Sequence, residues 1–220
     1  MVKFDLNGNI IWEKDWQKSL DDYTKDQDAA FVSDGYVVAG NHTIDDCVTS
    51  GLIKYDLNGN VLWKRIYDES ALRESYCNNC IDFNNIINTT DGFVAVGKIT
   101  NYEKNNDNHA IIIKYDLNGN IVWNKVYKDK KDAEFGSVAA VSDGYIAVGK
   151  SETPSKDSKK PTTSDSLIVK YDFDGNIIFS NKSPQTDSVI NTIVVDYNNN
   201  LAITINSGRL INDQGRHAYK

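Results

Sequence analysis

The chain has 220 residues, 40% of them apolar and 25% charged, which is enough for a packed core and too long for a disulfide-stapled miniprotein. Its 24 Lys and Arg stand against 31 Asp and Glu, a net charge of −7, which argues against a nucleic-acid binder because phosphate neutralisation needs a basic face. No apolar run approaches the ~18 residues of a membrane span, the start lacks the apolar stretch of a secretory leader, and three Cys do not make a disulfide framework.

In chain order, strands are expected at 2–5 and 10–16, then around Val61-Leu62-Trp63, at 83–89, 93–97, 110–116 and 121–127, and at Tyr145-Ile146-Ala147-Val148. Further strands are expected at 188–195, 201–205 and 217–220. The runs are rich in β-branched and aromatic residues, and no segment of ten or more residues carries a 3.6-residue apolar period. The 14 Gly and 25 Asn cluster between the runs, where positive φ is tolerated and tight hairpins form.

The elements repeat. KFDLNGNIIW, KYDLNGNVLW, KYDLNGNIVW and KYDFDGNIIF begin at Lys3, Lys54, Lys114 and Lys170. SDGYVVAG, TDGFVAVG and SDGYIAVG begin at Ser33, Thr90 and Ser142, and DYNNNLAI from Asp196 reads as a decayed copy. A period of 50 to 60 residues without helices describes four-stranded antiparallel blades that bury their faces against one another. The fold class is therefore all-β, a β-propeller of four-stranded blades in a single domain over 1–220, with units beginning near residues 3, 54, 114 and 170. Trp12, Trp63 and Trp123 share one position, filled by Phe179 in the fourth unit, and are expected to fill the gaps between neighbouring blades.

These tracts carry a family likeness. The Lys-Tyr-Asp-Leu-Asn-Gly-Asn tract with its Trp resembles the outer hairpin of quinoprotein-like propeller repeats, and Ser-Asp-Gly-Tyr resembles the inner hairpin of WD-type repeats. Together they are most similar to the tandem repeats of bacterial surface proteins and lipoproteins. The resemblance implies a propeller and a secreted or cell-surface location. It carries over no cofactor and no catalytic residue.

The chain begins and ends in the same phase of the repeat, so its ends could join in a composite blade and close the ring. A monomer, a homodimer of open half-rings and a segment of a longer array are the alternatives. Short turns are expected at one end of the blades. The long connections at 17–27, 41–51, 68–82, 98–108, 150–166 and 206–216 lie at the other, where binding usually resides.

Three constellations are candidates there. His42, Cys47, Cys77 and Cys80 could form a zinc site, a disulfide or free thiols. Asp-x-Asn-Gly-Asn turns such as Asp56, Asn58 and Asn60 could hold calcium, although side-chain capping of a hairpin explains them more simply. Asp21, Asp22, Tyr23, Asp45, Asp46, Tyr76, Tyr102 and Phe135 could line a shallow pocket for a glycan or peptide, against the plainer reading of a solvated acidic rim. No cofactor is required by any motif, and no membrane span and no nucleic-acid partner are expected. The function expected is non-catalytic binding or scaffolding, with a loop-carboxylate carbohydrate enzyme and a structural spacer as alternatives.

Overall fold

Strands that are apolar at every position, rather than at alternate ones, are those covered on both faces. Ala110, Ile111, Ile112 and Ile113 form such a run, and all four are fully buried in a computed structural model of the chain. The structure describes residues 2–13, 24–44, 47–67, 79–101, 107–128, 132–153, 163–186, 188–196 and 200–207. It is all-β. After a short hairpin, β1 (Val2–Phe4) and β2 (Ile10–Glu13), come three four-stranded antiparallel sheets. The first contains β3 (Thr24–Val32), β4 (Gly35–Ile44), β5 (Cys47–Asp56) and β6 (Val61–Ile66). The second contains β7 (Asn79–Thr89), β8 (Gly92–Asn101), β9 (Asp107–Asp116) and β10 (Ile121–Tyr127). The third contains β11 (Ala133–Val141), β12 (Gly144–Thr153), β13 (Thr163–Tyr171) and β14 (Ile177–Thr186). A last hairpin pairs β15 (Ser188–Val195) with β16 (Leu201–Ser207).

The sheets stack face to face. Val37, Ala39 and Leu52 of the first sheet pack with Phe93, Ala95, Ile111, Ile113 and Tyr115 of the second. The opposite face of the second sheet, through Val94, Val96, Ala110 and Ile112, meets Tyr145, Ala147, Leu167, Val169 and Tyr171 of the third. Ile146 and Val148 continue the stack onto Ile190 and Ile193 of β15. The first strands β3, β7, β11 and β15 pack on one another in succession. The fourth strands form the outer edges, where Val61, Leu62, Ile121, Val122, Ile177 and Ile178 are exposed.

Each of the first strands carries a one-residue irregularity at the same site, at Gln27, Asn84, Gly136 and Asn191. Beyond it, five consecutive pairs lead to the turn in the first three hairpins, closing at Val32–Gly35, Thr89–Gly92 and Val141–Gly144, and four lead to it in the last, closing at Val195–Leu201. A β-bulge bends its strand and re-aims the following side chain, and the residues that follow are Asp28, Asn85, Ser137 and Thr192.

Two expectations change. Strand runs into the ends of several supposed long connections: β4 runs to Ile44 and β5 starts at Cys47, while β8 and β12 run on to Asn101 and Thr153. The Asp196 segment occupies the inner-hairpin position but not with the inner turn. Asp196 N donates to Asn200 O, and Asn200 N and Nδ2 donate to the two Asp196 carboxylate oxygens, the bonding of the outer turns. Among the described residues β1 pairs with β2 and β16 with β15, and the two hairpins stay separate two-stranded sheets. The strand expected at 217–220 lies outside the described residues.

Candidate functional site

At one end of the stack each sheet closes with two short turns. The outer turn is a side-chain cap. Asp56 Oδ1 accepts from Asn58 N and Asn60 N at 2.8 Å, and Oδ2 accepts from Asn60 Nδ2 at 2.9 Å. The same three bonds recur at Asp5, Asp116 and Asp172. Both carboxylate oxygens are thus engaged by neighbouring N–H groups. The inner turn is tied across its sheet by an ion pair. Lys54 binds Asp34 at 2.8 Å, Lys170 binds Asp143 at 2.7 Å, and buried Lys114 binds Asp91 and Thr89 Oγ1.

These bonds set the acid response. The Lys114 and Lys54 ammonium groups hold Asp91 and Asp34 below the usual carboxylate value of 3.8, and Asn9 and Asn176 do the same for Asp5 and Asp172. At Asp116, burial pushes the carboxyl up, and the Asn120 bonds outweigh it. Carboxyls depressed in the folded state add stability that is complete above their unfolded value and disappears as pH falls through the folded one. The melting temperature is therefore expected to fall as pH is lowered from about 5 towards 2, and Asp91→Asn to flatten that fall, as read by circular dichroism against pH. A pH-independent melting temperature over this range would contradict the assignment.

The Trp positions join one unit to the next turn. Trp12 Nε1 donates to Leu57 O at 3.1 Å and Trp123 Nε1 to Phe173 O at 3.0 Å. Their rings lie 6.4 Å from Tyr36 and 6.2 Å from Tyr145. Burial, and then the Asp91 charge, push the Tyr145 hydroxyl up to about 12. Trp63 packs against the core shared by the first two sheets. Phe179, which lacks an indole N–H, is 43% exposed.

A polar track follows the bulges. Asp28 Oδ2 accepts from Asn85 Nδ2 at 2.7 Å and from Ile86 N at 2.9 Å. Asn85 Oδ1 in turn accepts from Val138 N at 2.9 Å and from Ser137 Oγ at 3.4 Å. The side chain after one bulge thus satisfies the backbone two places past the next. Buried polar groups need such partners.

The opposite end holds the candidate recognition site. Thr100 Oγ1 donates to Asn108 Oδ1 at 2.6 Å, and Asn108 Nδ2 donates to Asp132 Oδ1 at 3.4 Å, linking the second sheet to the third. Asp132 O accepts from Glu152 N at 3.1 Å, and Asp132 has φ 49°. A non-glycine residue in the left-handed region is uncommon, and such residues gather where function constrains the chain. Adjacent Ser151 is fully buried, and its Oγ has no hydrogen-bond partner. Lys98–Asp82 at 3.5 Å and Lys150–Glu134 at 3.6 Å flank the cluster on their respective sheets. Thr100 and Ser151 are buried, so the groups of the cluster that reach the surface are the half-buried Asn108 amide and Asp132 carboxylate.

Of the residues expected to line a pocket, Asp21, Asp22, Tyr23, Asp45, Asp46, Tyr76 and Tyr102 lie outside the described residues, as does Cys77. Phe135, expected to line the pocket, belongs to the core instead. It lies inside β11, fully buried, with its ring 6.3 Å from Tyr127 and from Tyr171, so it offers no face to a sugar. His42 sits in β4 opposite Thr49, Cys47 in β5 opposite Ile44, and Cys80 in β7 opposite Thr100. They therefore occupy strands rather than loops. Among the described residues no group of His, Cys, Asp and Glu is arranged to hold a metal, and no helix is long and apolar enough to cross a membrane. Compared with known proteins, the chain matches no family model and no curated protein.

Proposed function

We propose that the chain is a single β-propeller domain that serves as a non-catalytic binding scaffold of a bacterial surface or secreted protein. The three four-stranded sheets are complete blades, and β15–β16 with β1–β2 are the halves of a composite blade. One observation carries the reading: the two ends of the stacked sheets differ in kind. One end repeats the same capped turns and Lys–Asp ties. The other has connections of unlike length and sequence, together with the Asn108–Asp132 cluster, on a rigid framework. Constant turns serve the fold, and variable connections on a fixed scaffold serve recognition. The ligand is a polar one, a glycan or a peptide.

Arrays of glycans and of peptides probed with the full chain test this. Binding at discrete spots is expected, with the bound glycans recovered uncleaved. Cleavage that is lost on Asp132→Asn would replace the scaffold with a carbohydrate enzyme, and blank arrays would leave a structural spacer.

A further inference from the structure

Three turns have the same sequence, Asp-Leu-Asn-Gly-Asn, at 5–9, 56–60 and 116–120. They also share their local bonding. Gly8 N, Gly59 N and Gly119 N donate to Asp5 O, Asp56 O and Asp116 O at 3.1, 3.0 and 3.0 Å. What differs is the cover. A Cβ placed on Gly119 would lie 2.8 Å from the Trp63 ring and from Arg65 Cγ. Gly59 is buried, and Trp12 and Lys3 both reach over its turn to Leu57 O, at 3.1 and 3.2 Å. A Cβ on Gly8 would meet nothing within 4 Å. The turn's Leu repeats the contrast: Leu6 is 106% exposed, against 41% for Leu57 and 53% for Leu117.

Asn-Gly is the dipeptide in which a backbone nitrogen most easily reaches the preceding side chain, because glycine adds no Cβ obstruction. We propose that Asn7 is a site of spontaneous deamidation, while Asn58 and Asn118 are protected by the tryptophan of the preceding unit. Gly8 N gives up its proton to solvent base and attacks Asn7 Cγ. The new N–C bond closes a succinimide, the bond from Cγ to the side-chain nitrogen breaks, and ammonia leaves. Water then opens the ring at either carbonyl, giving Asp or isoaspartate, with no change of oxidation state.

Ring closure requires Gly8 N to release Asp5 O and the turn to re-form around the new ring. Gly119 has no room for that movement beneath Trp63, whereas Gly8 does. The two products differ in effect. The fourth unit already carries Asp174 before Gly175, and Asp174 N still donates to Asp172 Oδ1 at 3.0 Å, so Asp at position 7 preserves the hairpin. Isoaspartate inserts an extra backbone carbon between the Asp5 cap and Asn9 and breaks it.

The three identical sequences make the test internally controlled. The full chain is held in mildly alkaline buffer, and the three turn peptides are followed by mass spectrometry with isoaspartate detection. Asn7 is expected to convert at least about tenfold faster than Asn58 or Asn118, because reaction at a covered site waits for local opening. In the urea-unfolded chain the three rates are expected to converge. Equal rates in the folded chain, or Asn118 outrunning Asn7, overturn the proposal. So do rates that remain unequal after unfolding, since the difference would then be intrinsic to the sequence.

Discussion

Phe135→Ala is expected to lower the unfolding free energy by about 3–5 kcal/mol, the range for truncating a fully buried aromatic ring. The side chain is completely enclosed in the core between the second and third sheets, edge-on to Tyr171 and tilted against Tyr127. Its strand also carries the bulge that aims Ser137 at Asn85, so the cavity would open beside the polar track. Close packing leaves little scope for collapse into the space. Urea denaturation measures the loss. A change below about 1 kcal/mol would mean that the two sheets do not share this core.

Gly92→Ala is the second large effect. Gly92 opens β8 directly after the Thr90-Asp91 turn, at φ +157°. A Cβ there would lie 1.9 Å from Tyr115 O in the neighbouring strand β9. That oxygen is backbone within a paired ladder, so it cannot move without breaking the pairing of Gly92 with Asp116. The expected cost is about 3 kcal/mol or more, with Thr90→Ala beside it within about 0.5 kcal/mol. Comparable melting temperatures for the two variants would contradict the register of the second sheet. Gly35 and Gly144 meet Tyr55 O and Tyr171 O in the same way, at 1.8 and 1.9 Å, so the effect should recur in each complete sheet.

The repeat made the strands legible. The expected strands at 83–89, 93–97, 110–116 and 121–127 fall within β7 to β10, because runs of β-branched and aromatic residues and tight-turn residues agree there. The strand extensions were not legible. Asn41, His42 and Thr43, like Ser151, Glu152 and Thr153, show no apolar alternation in the sequence, yet their backbones pair as strand with β5 and β13. The bulges were hidden for a different reason. Gln27, Asn84 and Asn191 carry a carboxamide and Gly136 has no side chain, but Asn recurs throughout the chain, so only the common register exposes them.

Phe135 was misplaced because the charged run before it, through Asp132, reads as loop. The signal against that reading was present in the period-2 spacing of Ala133, Phe135 and Ser137, all buried. The candidate site was the least legible part. Asn108 and Asp132 stand 24 residues apart and meet only because the second sheet packs on the third. The strained backbone of Asp132 has no sequence signature, since Asp is common in ordinary loops as well.

The central claim is that recognition belongs to the variable end of the stack and not to the repeated turns. Affinity for the best-bound array ligand, measured by calorimetry on Asn108→Ala, Asp132→Asn and Asn58→Ala, tests it most directly. The first two lie at the variable end and the third is an exposed turn residue. Asn108→Ala and Asp132→Asn are predicted to weaken binding about tenfold or more, roughly 1.4 kcal/mol, with Asn58→Ala unchanged and all three melting near the parent chain. Binding that survives both changes at the variable end and is lost in Asn58→Ala would contradict the account.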